Sequence, residues 1–555
     1  MDPWCVLSQN HRGADATRSP TQFPPFQCGA AVGDRCVTSA MRQANLDRLR
    51  ADRLDLLVIG GGITGAGILL DGTLRGLKVG LVDKGDFASG TSSASSKLIH
   101  GGLRYLEHGE LGLVREALRE RHTLLRIAPH LVRPLKILLP HYTASNRPRW
   151  MLKVGLALYD WLAGPERIGC HRWLDVAEVQ AIAPGLRTQD LSGGFEFFDA
   201  QMDDSRLCLE VVLTALHGNA CAANYVEVVE LHRDRHGQVH GCEAIDRLSG
   251  ESLGIQARRI VNATGPWLDE ISRIDDTMSP PRLAPTKGAH IILPGIGLNA
   301  GLLVTHPEDG RVMFIIPWMG RTLVGTTDSF FNDRPDKVAA DACDIAYLLA
   351  AVDYYFCRTF SSSAVVATLV GLRPLLRRRT KNPSSMSREF TIFRARSGLW
   401  SIAGGKYTTY RSMAERLVDR IVHDLGAPCI PCKTRDHRLV GTPSEDWSTF
   451  RDREAARLAQ RQGIDRQSAS HLLNRYGKRV FLLEDVTASD RAHWNPVMDG
   501  EPDLEAELAF QSIHEMAVSP SDHLLRRTRL GLFHPELLTG LFKWPKAAGF
   551  SKLSS

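Results

Sequence analysis

Between Leu54 and Asp83 the chain reads LDLLVIGGGITGAGILLDGTLRGLKVGLVD. An apolar run, Leu54–Ile59, meets Gly60, Gly62 and Gly65 in G-x-G-x-x-G spacing. A helical stretch from Thr64 to Arg75 follows, then a second apolar run, Lys78–Val82, closed by Asp83. That order can bind a dinucleotide. The first glycine permits a tight turn, the second lets backbone approach a pyrophosphate, and the third lets the helix lie close to the sheet. The helix N-terminus offers free N–H groups to the anion. Asp83 is placed to accept hydrogen bonds from an adenosine ribose.

Other stretches carry chemistry of the same kind. Ala88–His108, ASGTSSASSKLIHGGLRYLEH, concentrates hydroxyls and backbone N–H groups suited to an anionic cofactor, with Arg104 and Tyr105 just beyond. Arg259–Trp267, RIVNATGPW, reads as a buried strand that breaks at Thr264-Gly265, where backbone can approach a ligand. Thr322–Asp328, TLVGTTD, presents two hydroxyls and an acid at a strand end. Leu399–Arg411, LWSIAGGKYTTYR, is a second strand–glycine–helix junction, with the helix starting near Lys406. Its positive N-terminus would stabilise negative charge on a reduced ring system. Cys429-Ile-Pro-Cys432 lacks a second pair for zinc and does not open a helix after a strand, so no metal site is expected.

The elements that must position these residues can be read more coarsely. A chain of 555 residues buries a large core in several domains. The net charge of +6 is mild for this length and suits acidic substrates or anionic lipid. No basic or aromatic-interleaved patch points to nucleic acid. No apolar run approaches the roughly 18–20 residues that span a bilayer. Eleven cysteines, mostly isolated, make no disulfide framework and suggest a cytosolic compartment.

Residues 1–50 lack periodicity and are expected to be a disordered extension or an early start codon, with Met41 opening a short lead into the first strand. Residues 52–145 form the first part of the nucleotide-binding domain. Residues 146–370 form a substrate domain in which 193–267 return to the nucleotide fold, and 371–425 complete that fold. Residues 340–372 read as helical. Residues 436–540 are charged and helical in pattern, a separate all-α domain. Arg149–Leu162, apolar with a basic, tryptophan-bearing start, fits either an interfacial membrane helix or a buried helix with a basic end.

Together TSSASSKLIHGGLRYLEH (Thr91–His108), NATGPW (Asn262–Trp267), KGAHI (Lys287–Ile291), IIPW (Ile315–Trp318), GTTD (Gly325–Asp328), GLRPL (Gly371–Leu375) and GGKYTTYR (Gly404–Arg411) closely resemble the FAD-dependent glycerol-3-phosphate dehydrogenases, in particular the bacterial aerobic, quinone-linked form. EAEL (Glu505–Leu508) and LRRTRLGLF (Leu525–Phe533) echo the family's helical domain. The resemblance implies an α/β fold. Its FAD-binding Rossmann-like domain would be of the glutathione-reductase/amino-acid-oxidase type, with an interleaved mixed β-sheet substrate domain and a C-terminal all-α domain.

It also implies the activity: oxidation of sn-glycerol 3-phosphate to dihydroxyacetone phosphate, with electrons passed to a membrane quinone. The cofactor would be FAD, with no metal. The protein would be cytoplasmic and peripheral on the inner face of the cytoplasmic membrane, and a homodimer is compatible with this. Carried over by motif, Gly60, Gly62, Thr64, Gly65 and Asp83 hold the ADP half of FAD. Thr91, Ser92, Ser96, Lys97 and Leu98 line pyrophosphate and flavin, and Gly265, Gly405, Lys406 and Thr408 complete the site. Arg104, Tyr105, His290, Thr326, Arg373 and Arg388 are the expected substrate-side residues.

Two positions depart from the family pattern: Asp83 stands where Glu is common, and Tyr407 where Leu is usual. Within this reading Arg104 and Arg388 bind the phosphate as planar, permanent cations. His290 is the natural base for the C2 hydroxyl, while Arg373 and Lys406 stabilise negative charge. A cationic cluster that lowers the alcohol's pKa without histidine is the alternative. The nearest rival activity is a glycerol-3-phosphate oxidase that reduces oxygen to hydrogen peroxide.

Overall fold

The computed structural model describes residues 40–145, 147–377, 389–487 and 494–539, except for the side chains of Arg104 and His108. Two sheets carry the architecture. In the first, Arg53–Ile59 lies between Val79–Val82 and Ser252–Asn262, and all three run parallel. Cys221–Ala223 extends the sheet at one side, and Trp400–Gly404 followed by Phe390–Arg394 at the other. The central strand reads Leu-Asp-Leu-Leu-Val-Ile because both of its faces are covered, as parallel sheets require. On one face the helices Ile63–Leu74, Asp204–His217 and Tyr410–Leu425 share a core with Leu56, Val58 and Leu81. Gly67 lets the Tyr410 ring lie against the first helix, since a Cβ there would meet Tyr410 Cδ2 at 2.8 Å.

The opposite face corrects the expectation for residues 1–50. Ala40–Ala51 is a helix that packs Leu46 and Leu49 against the hairpin Val226–Arg233/Val239–Asp246 and its sheet. Its Arg42 is fully buried. The guanidinium donates to Asp246 Oδ1 at 2.7 Å and to the Asn224 carbonyl at 2.8 Å. The sequence hid this helix because its apolar stripe is only two leucines deep and its anchor is a charge. Residues 1–39 lie outside the described residues.

The second sheet has ten strands, centred on the long antiparallel pair Val132–Tyr142 and Leu191–Met202 and on Thr286–Pro294 with its partners Arg321–Gly325 and Ala367–Arg373. Three segments therefore sit differently from the sequence reading. Val132–Tyr142, placed within 52–145, and Leu191–Met202, placed among the returning segments 193–267, both pair in this second sheet. Ala367–Arg373 is a strand, whereas the helix of that region ends at Phe356. Short alternating strands and buried helix ends share composition, so pattern alone misassigned them.

From Trp447 to Leu538 the described chain is helical, apart from one isolated bridge between Pro496 and Leu504. Leu458, Leu472, Leu473, Tyr476, Leu483 and Phe510 make its core. His471, Asp503 and Glu507 lie close together there, but Arg475 occupies the space between the two carboxylates, 2.5 Å from each.

Candidate active site

The first strand ends at Gly60, whose φ of +111° turns the chain sharply. A Cβ at Gly65 would collide with the Gly60 carbonyl oxygen, so only glycine allows the helix Ile63–Leu74 to start this close to the strand. The unpaired first-turn N–H groups of such a helix suit a pyrophosphate. The segment after the second strand wraps this turn. Asp83 accepts from the N–H of Gly61 at 2.6 Å and of Gly85 at 2.8 Å. Ala88 N–H donates to the Gly61 carbonyl, and Ser92 Oγ accepts from Ile63 N–H at 2.9 Å. Burial pushes the Asp83 carboxyl up to about 6, against the pull of those two N–H donors. Gly265, at the end of Ser252–Asn262, has φ +55° and faces open space, while Gly404 and Gly405 turn the chain at φ +80° and +88°. Glycine turns thus close three neighbouring strands at the sheet edge where a dinucleotide with an attached ring system would lie. The residues fit FAD.

Beyond this cradle, the loop Ala88–Leu98 ties the two sheets together. Ser92 holds the first-sheet turn, and Thr91 Oγ1 donates to the Leu372 carbonyl of the second sheet at 2.7 Å. Ser96, expected beside the cofactor, shares a 2.8 Å hydrogen bond with His290 Nε2. Lys97, with φ +58°, departs from expectation. Its side chain turns into the core and reaches Asp204 at 2.7 Å and the Ser93 carbonyl at 2.6 Å. Burial, only partly offset by Asp204, lowers its pKa to about 8. Leu98 is buried and pairs with Gln201.

The substrate-side residues meet through strand register. His290 stands opposite Gly325, and Thr286 opposite Arg373, so His290, Thr326 and Arg373 come together from three strands. Two glycines make the room: a Cβ at Gly325 would enter the His290 ring, and one at Gly288 would enter the Arg373 guanidinium. Arg373 donates to Asp328 Oδ1 and to Thr326 Oγ1, each at 3.0 Å. Asp328 also faces Arg311 at 3.3 Å. Burial, then Arg373 and Lys97, push the His290 imidazole down to about 3, so it is neutral near pH 7. Lys406 lies 3.5 Å over the Tyr105 ring, just before the turn Tyr407–Thr409 and the helix Tyr410–Leu425. That helix begins four residues later than expected. Thr408 is buried in the same turn, and Tyr407, the departure from Leu, donates its hydroxyl to the Asp204 carbonyl. Arg388 and the side chain of Arg104 lie outside the described residues.

Sequence reasoning missed two acids that orient this machinery. Asp328 was visible as the last residue of GTTD but had no role until the register set it against Arg373. Asp204 had no local signal, because its partners Lys97 and Arg529 lie 107 and 325 residues away.

Comparison with known proteins agrees with this geometry. Residues 55–420 match the family model described as FAD dependent oxidoreductase, and residues 432–541 match that of the C-terminal domain of alpha-glycerophosphate oxidase. The aerobic glycerol-3-phosphate dehydrogenase of Staphylococcus aureus strain USA300 is 36% identical over 492 residues, covering 86% of this chain and 87% of its own. Among solved structures, the glycerol-3-phosphate dehydrogenase of Bacillus halodurans complexed with FAD superposes with a TM-score of 0.75 at 32% identity, covering 92% of both chains. The L-alpha-glycerophosphate oxidase of Mycoplasma pneumoniae shares the fold at 17% identity, with a TM-score of 0.54 over 67% of this chain and 95% of its own. Glycine-built cradle, sheet-borne histidine and arginine, helical C-terminal region and these likenesses lead to one assignment: the chain belongs to the FAD-dependent oxidoreductases, in the branch of the aerobic glycerol-3-phosphate dehydrogenases.

Proposed function

We propose that the protein oxidises sn-glycerol 3-phosphate to dihydroxyacetone phosphate at the junction of its two sheets. The observation that carries this reading is the convergence of a neutral histidine and a carboxylate-clamped guanidinium beside the loop that wraps the glycine turn. FAD, when bound, supplies the acceptor for the C2 hydride. His290 takes the proton of the C2 hydroxyl. It is already neutral, so its free electron pair is available to a proton. Arg373, fixed by Asp328 and Thr326, stabilises the alkoxide character that develops on the substrate oxygen. Lys406 and the adjoining helix start stabilise negative charge arriving on the cofactor side. Tyr105 and Thr326 orient the substrate. Arg104 and Arg388 bind its phosphate as planar, permanent cations.

The electron acceptor in this proposal is a membrane quinone. Among the described residues no helix is long and apolar enough to cross a membrane. The helix Arg149–Ala163, however, buries Leu156, Tyr159 and Ala163 and exposes Trp150 (68%), Val154 (60%) and Trp161 (74%) along its other side. That side departs from the wholly buried alternative. An apolar stripe with tryptophan at both ends and basic residues at its start suits the headgroup layer of an anionic bilayer. The stripe's inner face reaches the active-site loop, since Tyr159 Oη accepts from Gly101 N–H at 2.9 Å.

Anaerobic mixing of the yellow protein with sn-glycerol 3-phosphate tests the proposal. Flavin bleaching, reversed faster by a soluble quinone than by oxygen, is the expected result. Reversal mainly by oxygen would make the enzyme an oxidase, and the absence of bleaching would remove the substrate assignment.

A further inference from the structure

The motif LRRTRLGLF sits in the helical region, yet it reaches the cofactor cradle at two points. Arg526 and Arg527, on the π-helical segment Asp522–Arg527, both bind Asp86. Arg526 Nε lies 2.5 Å from Asp86 Oδ2, while Arg527 donates to Oδ2 at 2.7 Å and to Oδ1 at 3.0 Å. Asp86 is fully buried, three residues beyond Asp83, in the loop that closes over Gly61. Two residues further along the motif, Arg529 adopts φ +82° and donates to Asp203 at 2.8 Å and Asp204 at 2.9 Å. Asp204 is the carboxylate that holds Lys97 Nζ, Ser95 N–H and Ser95 Oγ. Ser96, between those two residues, is the hydrogen-bond partner of His290. Phe533, at the end of the motif, packs edge-on against Trp318, whose ring lies 5.4 Å from Lys97 Nζ.

We infer that the stretch Arg526–Arg529 is a clamp on the FAD cradle. Arg526 and Arg527 fix the ribose-side loop through Asp86, and Arg529 is a positioning residue that sets Ser96 against His290 through Asp204 and Lys97. The helical region is thereby part of the active site's support. A buried arginine left with one acid would be a poor way to gain stability alone, because desolvation offsets most of the Coulomb gain. Four cations (Arg526, Arg527, Arg529 and Lys97) and three acids (Asp86, Asp203 and Asp204), in two clusters along one segment, fit geometric specification instead. The inference rests on the cofactor site described above.

Hydrogen–deuterium exchange on the full chain, with FAD bound and after its removal, tests the clamp without any substitution. Exchange in 522–533 should slow on FAD binding together with that in 60–65 and 91–98. Slowing in 60–65 and 91–98 alone overturns the clamp and leaves the cofactor site standing; slowing in none of them overturns both. Arg529→Gln should release FAD about tenfold faster, as loss of one member of a coupled network does, and should shift the pH profile of flavin reduction. Arg529→Lys should recover most of both. A lower melting temperature with an unchanged release rate and pH profile would reduce Arg529 to a structural residue and overturn the proposal.

Discussion

The two halves of the active site are built in different currencies. On the cofactor side the working atoms are backbone: Gly60, Gly265, Gly404 and Gly405 set positive φ values, and the neighbouring hydroxyls of Thr91 and Ser92 are spent on holding loops. On the substrate side they are side chains brought from separate strands, where Gly288 and Gly325 merely vacate space for Arg373 and His290. Each turn of the backbone cradle is encoded locally, within about a dozen residues, and tolerates side-chain change nearby but not an added Cβ. A side-chain cluster is encoded by register between strands up to 86 residues apart and tolerates neither a shorter nor a neutral replacement.

The largest effect should come from the substrate side. Arg373→Lys keeps the charge but loses the fork that binds Asp328 and Thr326 together. We expect kcat/KM to fall by about 10²–10³, with FAD content unchanged. A loss of flavin in place of turnover would show that the two halves are not separable. Next, Gly65→Ala should reverse that signature. FAD affinity should fall by about a hundredfold because backbone must shift to admit the methyl, and protein reloaded with excess FAD should regain much of its turnover. Normal affinity in this variant would end the claim that the cradle is fixed by close packing. Asp328→Asn, which leaves Arg373 in place but weakens its clamp, should cost roughly tenfold in kcat with little change in KM. Equal loss in both parameters would mean that Asp328 acts on binding.

The smallest effect concerns pH. Asp83 has a carboxyl raised from 3.8 to about 6 in the folded protein. A raised pKa means that its contribution to folding is fully present below pH 3.8 and is lost as pH rises through about 6. In the proposed ribose role the dependence runs the other way, since a carboxylate offers both oxygens as acceptors and a carboxylic acid does not. Titration of FAD into the stripped protein should therefore show the dissociation constant rising by roughly threefold to tenfold between pH 7.5 and 5. A flat profile, or one that Asp83→Asn leaves intact, would take the ribose role away from this residue.

The contrast also explains how much could be read in advance. The strand–glycine–helix turn, the Gly404-Gly405 junction and the helical character of the described residues between Trp447 and Leu538 were legible because each is a local pattern. The resemblance named His290 and Arg373, which local pattern could not, and the strand register brings them together with Thr326. What escaped were long-range charges. Arg42 anchors the helix Ala40–Ala51 to Asn224 and Asp246, and Lys97 turns inward to Asp204. A buried ion pair has no periodicity, and its members look like ordinary surface residues until the fold brings them together.

The contact between Asp86 and the arginines 440 and 441 residues later has a consequence for biosynthesis. A ribosome adding about 5–20 residues each second takes on the order of half a minute or more to travel that distance. For most of that interval the acid beside the glycine turn lacks its two arginine partners. Until the arginines arrive, desolvating Asp86 is costly, and the wrapped loop is held over the turn less firmly. The loop over the glycine turn therefore reaches its described form only once the helical region has been made.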